Sequence, residues 1–230
     1  MTAIVNIIKD RKVYLGGVDL SGDENEVNLT LEFDMKECTT FPDSAHVNAP
    51  GLSKVTLNQK GFVSFGEGLV DETLAARLGK AGVPVSVTQK GGLAGEIAYF
   101  TKAWGSSYAP RMAVGELPSF DFNMSQAGGA VIRGTILMAK ATLADGAHQG
   151  TAYNLGAVPA GSKMYAALHV FDGSASGSIQ IDGADKITFE QTAGPGSLYR
   201  VVDGPIAGAQ WRAVITAVGP STVFVVAGIA

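Results

Sequence analysis

Between Val27 and Asp34 apolar and polar residues alternate without a break, with Val27, Leu29, Leu31 and Phe33 in one phase and Asn28, Thr30, Glu32 and Asp34 in the other. A strict period of two is the pattern of a β-strand with one covered face and one wet face. Shorter stretches of the same kind recur at Val55 and Leu57, at Val83, Val85 and Val87, and at Phe120, Phe122 and Met124. Glycine separates the apolar runs. Thirty of 230 residues are glycine, against a usual share of about 7%, and they punctuate the chain instead of forming one flexible tract. The Gly16-Gly17 pair between Val13-Tyr14-Leu15 and Val18-Asp19-Leu20 has the spacing of a tight two-residue hairpin.

This reading predicts an all-β fold of about a dozen strands. In the C-terminal third the strands are Ile132 to Met138, Met164 to Phe171, Ser178 to Ile181, Ile187 to Phe189, Trp211 to Val218 and Thr222 to Ile229. One short helix is expected near 71–79, where Asp71 and Glu72 open the turn and Gly79 follows Leu78. The stretch 36–53 carries two prolines and no periodicity, so it is expected to be a long loop. A single domain over 1–230 is expected, with a candidate internal boundary near 144–147.

Composition excludes several classes. A net charge of −4 argues against a surface built to grip phosphate. No run approaches the ~20 apolar residues of a membrane-spanning helix, and the first residues lack the basic region of a signal peptide. The expectation is a soluble protein, or a particle subunit, assembled inside a cell. The lone Cys38 excludes an intramolecular disulfide and is read as an inert thiol.

Catalytic patterns fail on inspection. Gly156 to Lys163 has glycines at phosphate-loop spacing, but Ser162 precedes Lys163, the reverse of what Mg²⁺ and phosphate require. Gly173-Ser-Ala-Ser-Gly177 centres on Ala175 and is read as a turn. His46, His148 and His169 are too far apart in sequence for one metal-binding element, and His169 is read as a half-buried structural residue. Asp182-Gly183-Ala184-Asp185 lacks the ligands of a calcium loop and is read as a hairpin turn. No catalytic residue, metal site or cofactor is expected. The outstanding feature is acidic: eight carboxylates lie between Asp19 and Asp43 against one base, Lys36.

Several segments together resemble a known family. They are Val13-Tyr-Leu-Gly-Gly-Val-Asp-Leu-Ser-Gly22, Cys38-Thr-Thr-Phe41, Ala49-Pro-Gly-Leu52, Gly150-Thr-Ala-Tyr-Asn-Leu-Gly-Ala157, Met164-Tyr-Ala-Ala-Leu-His-Val-Phe171, Ala209-Gln-Trp-Arg212 and the closing Val225 to Ile229. In order and spacing they resemble the tail tube proteins of siphophages, bacteriophages with long non-contractile tails. The resemblance spans nearly the whole chain and departs from the family after Phe171, where the stretch is short. It implies a tail-tube-type β-sandwich or partial barrel whose subunits close into hexameric rings. The rings stack into a hollow tube that ejects genomic DNA without binding it specifically. It further implies a virion location after assembly in the host bacterial cytoplasm, with tape measure, tail terminator and tail tip proteins as partners and no membrane contact.

On that reading the polar phase Asn28, Thr30, Glu32 and Asp34 faces the lumen, where carboxylates would repel phosphate and let DNA slide. The segment holding Glu37, Thr39, Thr40, Phe41, Asp43, His46 and Asn48 is the candidate contact between rings. Three other readings remain: a capsid decoration or tail terminator subunit sharing the β core, a carbohydrate-binding module, and an enzyme. The binding module requires exposed aromatics clustered on one sheet face.

Overall fold

The computed structural model describes residues 10–40, 44–128 and 130–230. Among the described residues lie fourteen strands and one short helix, so the fold is all-β, as the alternation and glycine spacing predict. Two compact units form. The first comprises the described parts of Met1–Gly22, Val83–Lys102 and Ile132–Ala230, and the second comprises those of Asp23–Gly82 and Ala103–Val131. The expected boundary at 144–147 falls within the first unit, where Gly146–Gln149 is a strand paired to Ala217–Val214.

The first unit starts with the hairpin β1 (Val13–Leu15) and β2 (Val18–Asp19), which contains the predicted Gly-Gly turn. Gly16 and Gly17 have φ of 58° and 86°, a region L side chains avoid. A Cβ on Gly17 would lie 2.4 Å from the Gly196 backbone nitrogen and 2.6 Å from the Val170 carbonyl oxygen. Glycine is therefore required twice over, for the turn and for the backbone packed against it. Within this unit β5 (Val83–Thr88), the 97–102 stretch of β6 (Ile97–Arg111), β8 (Ile132–Leu143), β11 (Lys163–Ile181), β12 (Ala184–Ala193) and β14 (Gln210–Ile229) extend the sheet in the order β12-β11-β14-β8-β6-β5-β1-β2. The β7 strand (Ser119–Gln126) belongs to the second unit, with β3 (Glu24–Glu37) and β4 (Asn48–Phe62). Short strands β9 (Gly146–Gln149) and β10 (Tyr153–Asn154) pair with β14, and β13 (Gly196–Asp203) pairs with the first half of β11.

Four strands expected separately in the C-terminal third are two long ones. β11 and β14 run 19 and 20 residues and pair along nearly their whole length, with irregularities around Asp172. Gly173-Ser-Ala-Ser-Gly177, expected as a turn, lies inside β11. The chain kinks there without reversing because Ser221 Oγ donates to the Ser174 carbonyl at 2.9 Å and accepts from the Ser174 amide at 3.0 Å. A bulge held this way bends a strand and keeps its pairing. The turn expected at Asp182-Gly183 is observed between β11 and β12. Met164, Leu168, Val170, Ile179, Phe189, Trp211 and Val225 lie in this unit's core, and the Trp211 indole N–H donates to the Gly156 carbonyl at 2.8 Å.

His169 is fully buried, not half-buried. Its Nε2 lies 2.9 Å from Ser86 Oγ, and its Nδ1 has no hydrogen-bond partner. Tyr14, Phe171 and Phe224 surround the ring at centroid distances of 6.1, 6.2 and 6.0 Å. Burial pushes its pKa down to about 3, because an imidazolium there would lose its hydration. Ser86 and His169 are both sealed from solvent, so the pair has no route to a substrate.

The sign of the linkage follows. Below the ordinary value of 6.5 the unfolded chain takes up a proton that the folded chain refuses, so this stabilisation is complete above pH 6.5 and lost as pH falls toward 3. Between pH 6.5 and 5, above the main carboxylate titrations, the folded state should lose about 1.5–2 kcal/mol through this one group. Urea unfolding at both pH values measures the loss, and His169→Gln should remove it. An equal pH dependence in the variant would contradict the assignment.

Candidate assembly surface

The second unit is built on a four-stranded antiparallel sheet in the order β3, β4, β7, β6, with β6 contributing Ala103–Arg111. The register aligns side chains in rows across it. Asn28, Asn58, Asn123 and Ser107 form one row, and Thr30, Thr56, Ser125 and Trp104 another. A third contains Glu26, Lys60, Asp121 and Ala109. This is the wet face. Its charges are largely compensated: Lys60 Nζ lies 3.0 Å from Glu26 Oε2, and Arg111 is paired with Asp121.

The opposite face is apolar, with Val55, Leu57, Phe120, Phe122 and Met124 buried. Helix α1 (Val70–Ala75) buries Val70 and Leu74 and is tied to the sheet by Tyr108 Oη, which donates to Asp71 Oδ1 at 2.8 Å. The helix is shorter than the predicted 71–79: it ends at Ala75 with Ala76 as its C-cap, and Leu78 bridges to Gly105. Burial, then the hydrogen bond to Asp71, raise the Tyr108 pKa. One residue breaks the apolar pattern. Gln59, paired across the ladder with Val27 and Phe122, is 1% exposed, and neither of its amide atoms has a hydrogen-bond partner.

Among the described residues, each sheet edge has a stretch with a ladder partner on one side only. From Asn28 to Glu37, β3 has no ladder partner other than β4 among the described residues. On the far side, Leu78 bridges to Gly105, and the only ladder that Ser107–Arg111 form among the described residues is to β7. Such edges present main-chain N–H and C=O groups ready for another strand.

Of the stretch expected as a loop over 36–53, Lys36 and Glu37 belong to β3 and 48–53 to β4, and the described residues of 38–47 lie outside the strands, at the tip between them. Pro50 is accommodated because β4 meets β7 only from Thr56 onward, so its outer edge there needs no N–H. From Phe33 outward the two strands stand alone as an arm of about 20 Å at ~3.3 Å per residue. The Ala49-Pro-Gly-Leu52 motif is a bulge: Phe33 faces Ser53 while Met35 faces Pro50. A Cβ on Gly51 would lie 2.6 Å from the Asp34 carbonyl oxygen, so only glycine fits, and the extra residue throws Leu52 outward to 85% exposure. Leu31, Phe33 and Met35 are exposed too. Only part of the alternating face is therefore covered, with Val27 and Leu29 half-buried.

The four residues read as lumen-facing share the wet side. Asn28, Glu32 and Asp34 are exposed, and Thr30 is half-buried. Asn28 Nδ2 donates to Glu26 Oε1 at 2.6 Å, Glu32 sits opposite Lys54, and Lys36 Nζ lies 2.7 Å from Asp34 Oδ2. The strand is thus less acidic in effect than its sequence suggests. At the tip, Glu37 Oε1 binds both His46 Nδ1 at 2.6 Å and Thr39 Oγ1 at 3.0 Å, and the Val47 amide donates to Thr39. The His46 contact, then Thr39, lower the Glu37 pKa. Asn48 faces Glu37, Thr40 and Cys38 are exposed, and Phe41 and Asp43 lie outside the described residues.

Sequence reasoning missed the β6–β7 turn, where Met112, Val114 and Leu117 are exposed. The available signal was an apolar run at a position where hairpin turns are usually polar. The aromatics a sugar site needs are dispersed: Trp211 is buried, Tyr108 packs on Phe120 and Phe122, and Trp104 is exposed among threonine and serine.

No family model and no curated protein matches the chain. Among solved structures it is similar to a chain from the virion of a native gene transfer agent particle, at 12% identity and a TM-score of 0.45, covering 56% of this chain and 98% of that one. It is also similar to the Dit protein of SPP1, described as a paradigm of the hub adsorption apparatus in phages infecting Gram-positive hosts. That match has 13% identity and a TM-score of 0.38, over 96% of this chain and 100% of that one. Both neighbours belong to phage-type particles. With TM-scores below 0.5, neither likeness carries an argument about function.

Gln59 provides a local test of the apolar face. An unsatisfied buried amide costs about 1–3 kcal/mol, so Gln59→Leu should raise the unfolding midpoint in urea at unchanged slope. A lower midpoint would mean that the amide is satisfied within the folded unit.

Proposed function

We propose that this chain is a non-enzymatic structural subunit of a phage tail that closes into rings, six copies to a ring, and stacks into a hollow tube for DNA. The observation that carries this reading is the four-stranded sheet of the second unit, which has one polar face and, among the described residues, a stretch at each edge with a ladder partner on one side only. Joining the β3 edge of one copy to the β6 edge of the next would satisfy both sets of main-chain groups and, on closure, leave no edge. Six copies of four strands make a 24-stranded barrel. At a spacing of about 4.8 Å and a tilt of ~40°, the backbone circle is roughly 45–50 Å across, wide enough for a DNA duplex.

The polar rows would then line the channel. Asn28, Asn58 and Asn123 carry no charge, and the neighbouring lysine and arginine are held by carboxylates. Lys54, opposite Glu32, is exposed and in no ion pair among the described residues, but a surface with so few free cations gives phosphates little to condense on, so DNA slides. In this reading the tape measure protein occupies the channel before DNA, terminator and tip proteins close its ends, and assembly takes place in the host cytoplasm before incorporation in the virion. These partners follow from the resemblance to siphophage tail tube proteins.

Electron microscopy of the concentrated protein tests the reading. Long hollow tubes are expected. Isolated rings would favour a terminator, and monomers at every concentration would favour a binding module and refute assembly. A second test targets the lumen. Replacing Glu32 and Asp34 with lysine should leave tubes intact and slow DNA release from particles carrying the variant, because free cations would then face phosphate. Unchanged infectivity and ejection rate would remove both residues from the channel.

A further inference from the structure

The second unit carries exposed apolar side chains at two opposite ends of its sheet. At one end stands the arm, with Leu31, Phe33, Met35 and the bulge-presented Leu52. At the other, the register places Phe62 opposite Ser119 and Ser119 opposite Arg111. Exposed Phe62 therefore lies beside the β6–β7 turn that displays Met112, Val114 and Leu117. Val114 is fully exposed, at 107%.

We propose that these two ends are the halves of one contact between copies of this chain, the Leu52 arm of one copy seating on the Met112–Leu117 turn of the next. Three observations support a second copy as the occupant. Both ends are mostly apolar, and several of their charged residues are engaged within the chain, Asp34 with Lys36, Glu37 with His46 and Arg111 with Asp121, while Glu116 in the turn is exposed. Interface cores are depleted of free charge in this way, whereas a nucleic acid or an anionic membrane surface would call for free cations. Eight large side chains at these exposures offer on the order of 800–1,000 Å², which the surrounding polar rim brings into the range of a specific protein contact. The arm itself is a two-stranded ribbon, marginal in water without something to lie on.

Because donor and acceptor patches differ and sit at opposite ends, the contact is head-to-tail. Such contacts propagate along the strand direction without a built-in stop. A bulge is an economical way to make the knob, since one inserted residue turns a side chain out of the ladder while Gly51 keeps the strands together. The inference rests on the reading of the chain as a ring-forming subunit, and it names the surfaces by which one ring would grip another.

Cysteine cross-linking of the full chain separates the two claims. In a Cys38→Ser background, protein carrying Leu52→Cys is mixed with protein carrying Val114→Cys and oxidised mildly, and assemblies are imaged in parallel. A disulfide-linked dimer is expected from the mixture, and a ladder of higher species from chains carrying both substitutions. The same Leu52→Cys protein mixed with a Val218→Cys control, exposed but in the first unit, should give none. Tubes without the Leu52–Val114 cross-link would overturn this contact and leave the tube reading standing. The cross-link in open chains without rings would support the contact and overturn the tube reading. Monomers without a cross-link would overturn both. Leu52→Asp provides an independent check, and it should leave the urea midpoint of the monomer within error while abolishing tubes and sparing rings. Intact tubes in that variant would contradict the proposal.

Discussion

The open edge of β3 is the constraint on which the account depends. Among the described residues, the ten from Asn28 to Glu37 form a strand with a ladder partner on one side only. A buried or shielded backbone group must find a hydrogen bond, and a long regular edge invites another chain. Soluble monomers usually blunt such edges with bulges that bend away, with proline or with cover. Here the proline and the bulge lie on β4, and β3 itself stays regular through its outer half. The described part of the sheet ends at β3 on one side and at Ser107–Arg111 on the other.

The two units divide the work. In the first, β11 and β14 pair over nearly their full lengths and enclose a core that contains Trp211 and Phe189. Its buried polar groups are few and mostly satisfied, and the Ser221 bridge shows how a bend is kept without a lost pairing. The second unit spends its apolar residues differently. Val55, Leu57, Phe120 and Phe122 are covered, while Leu31, Phe33, Met35, Met112 and Val114 are not. Apolar surface displayed at two ends of one sheet is the kind of feature that marks interaction sites, and the proposed contact between copies uses it.

The sequence made the class of fold legible because period two and glycine spacing are local signals. It identified the Gly16-Gly17 hairpin and the short helix for the same reason. It failed where the decisive contact is distant. The 36–53 stretch read as a loop because proline and glycine break periodicity, yet Pro50 sits on an open edge and Gly51 in a bulge, both compatible with a strand. Gly173 to Gly177 read as a turn because nothing nearby reveals that Ser221 holds it. The alternation of Val27 to Phe33 correctly separated two faces, but it could not say that Leu31 and Phe33 are exposed where Val27 and Leu29 are half-buried. His169 read as half-buried because Tyr14 and Phe224, which surround its ring together with Phe171, come from strands distant in sequence.

Amide hydrogen exchange of β3, compared between the dilute and the assembled protein, tests the central claim most directly. The account predicts that amides in Asn28–Glu37 and Ser107–Arg111 gain protection together on assembly, while those of β4 at Thr56–Phe62, already between two strands, change little. Equal exchange of β3 in both states would mean that its edge never meets a neighbour, and the ring would have to be abandoned.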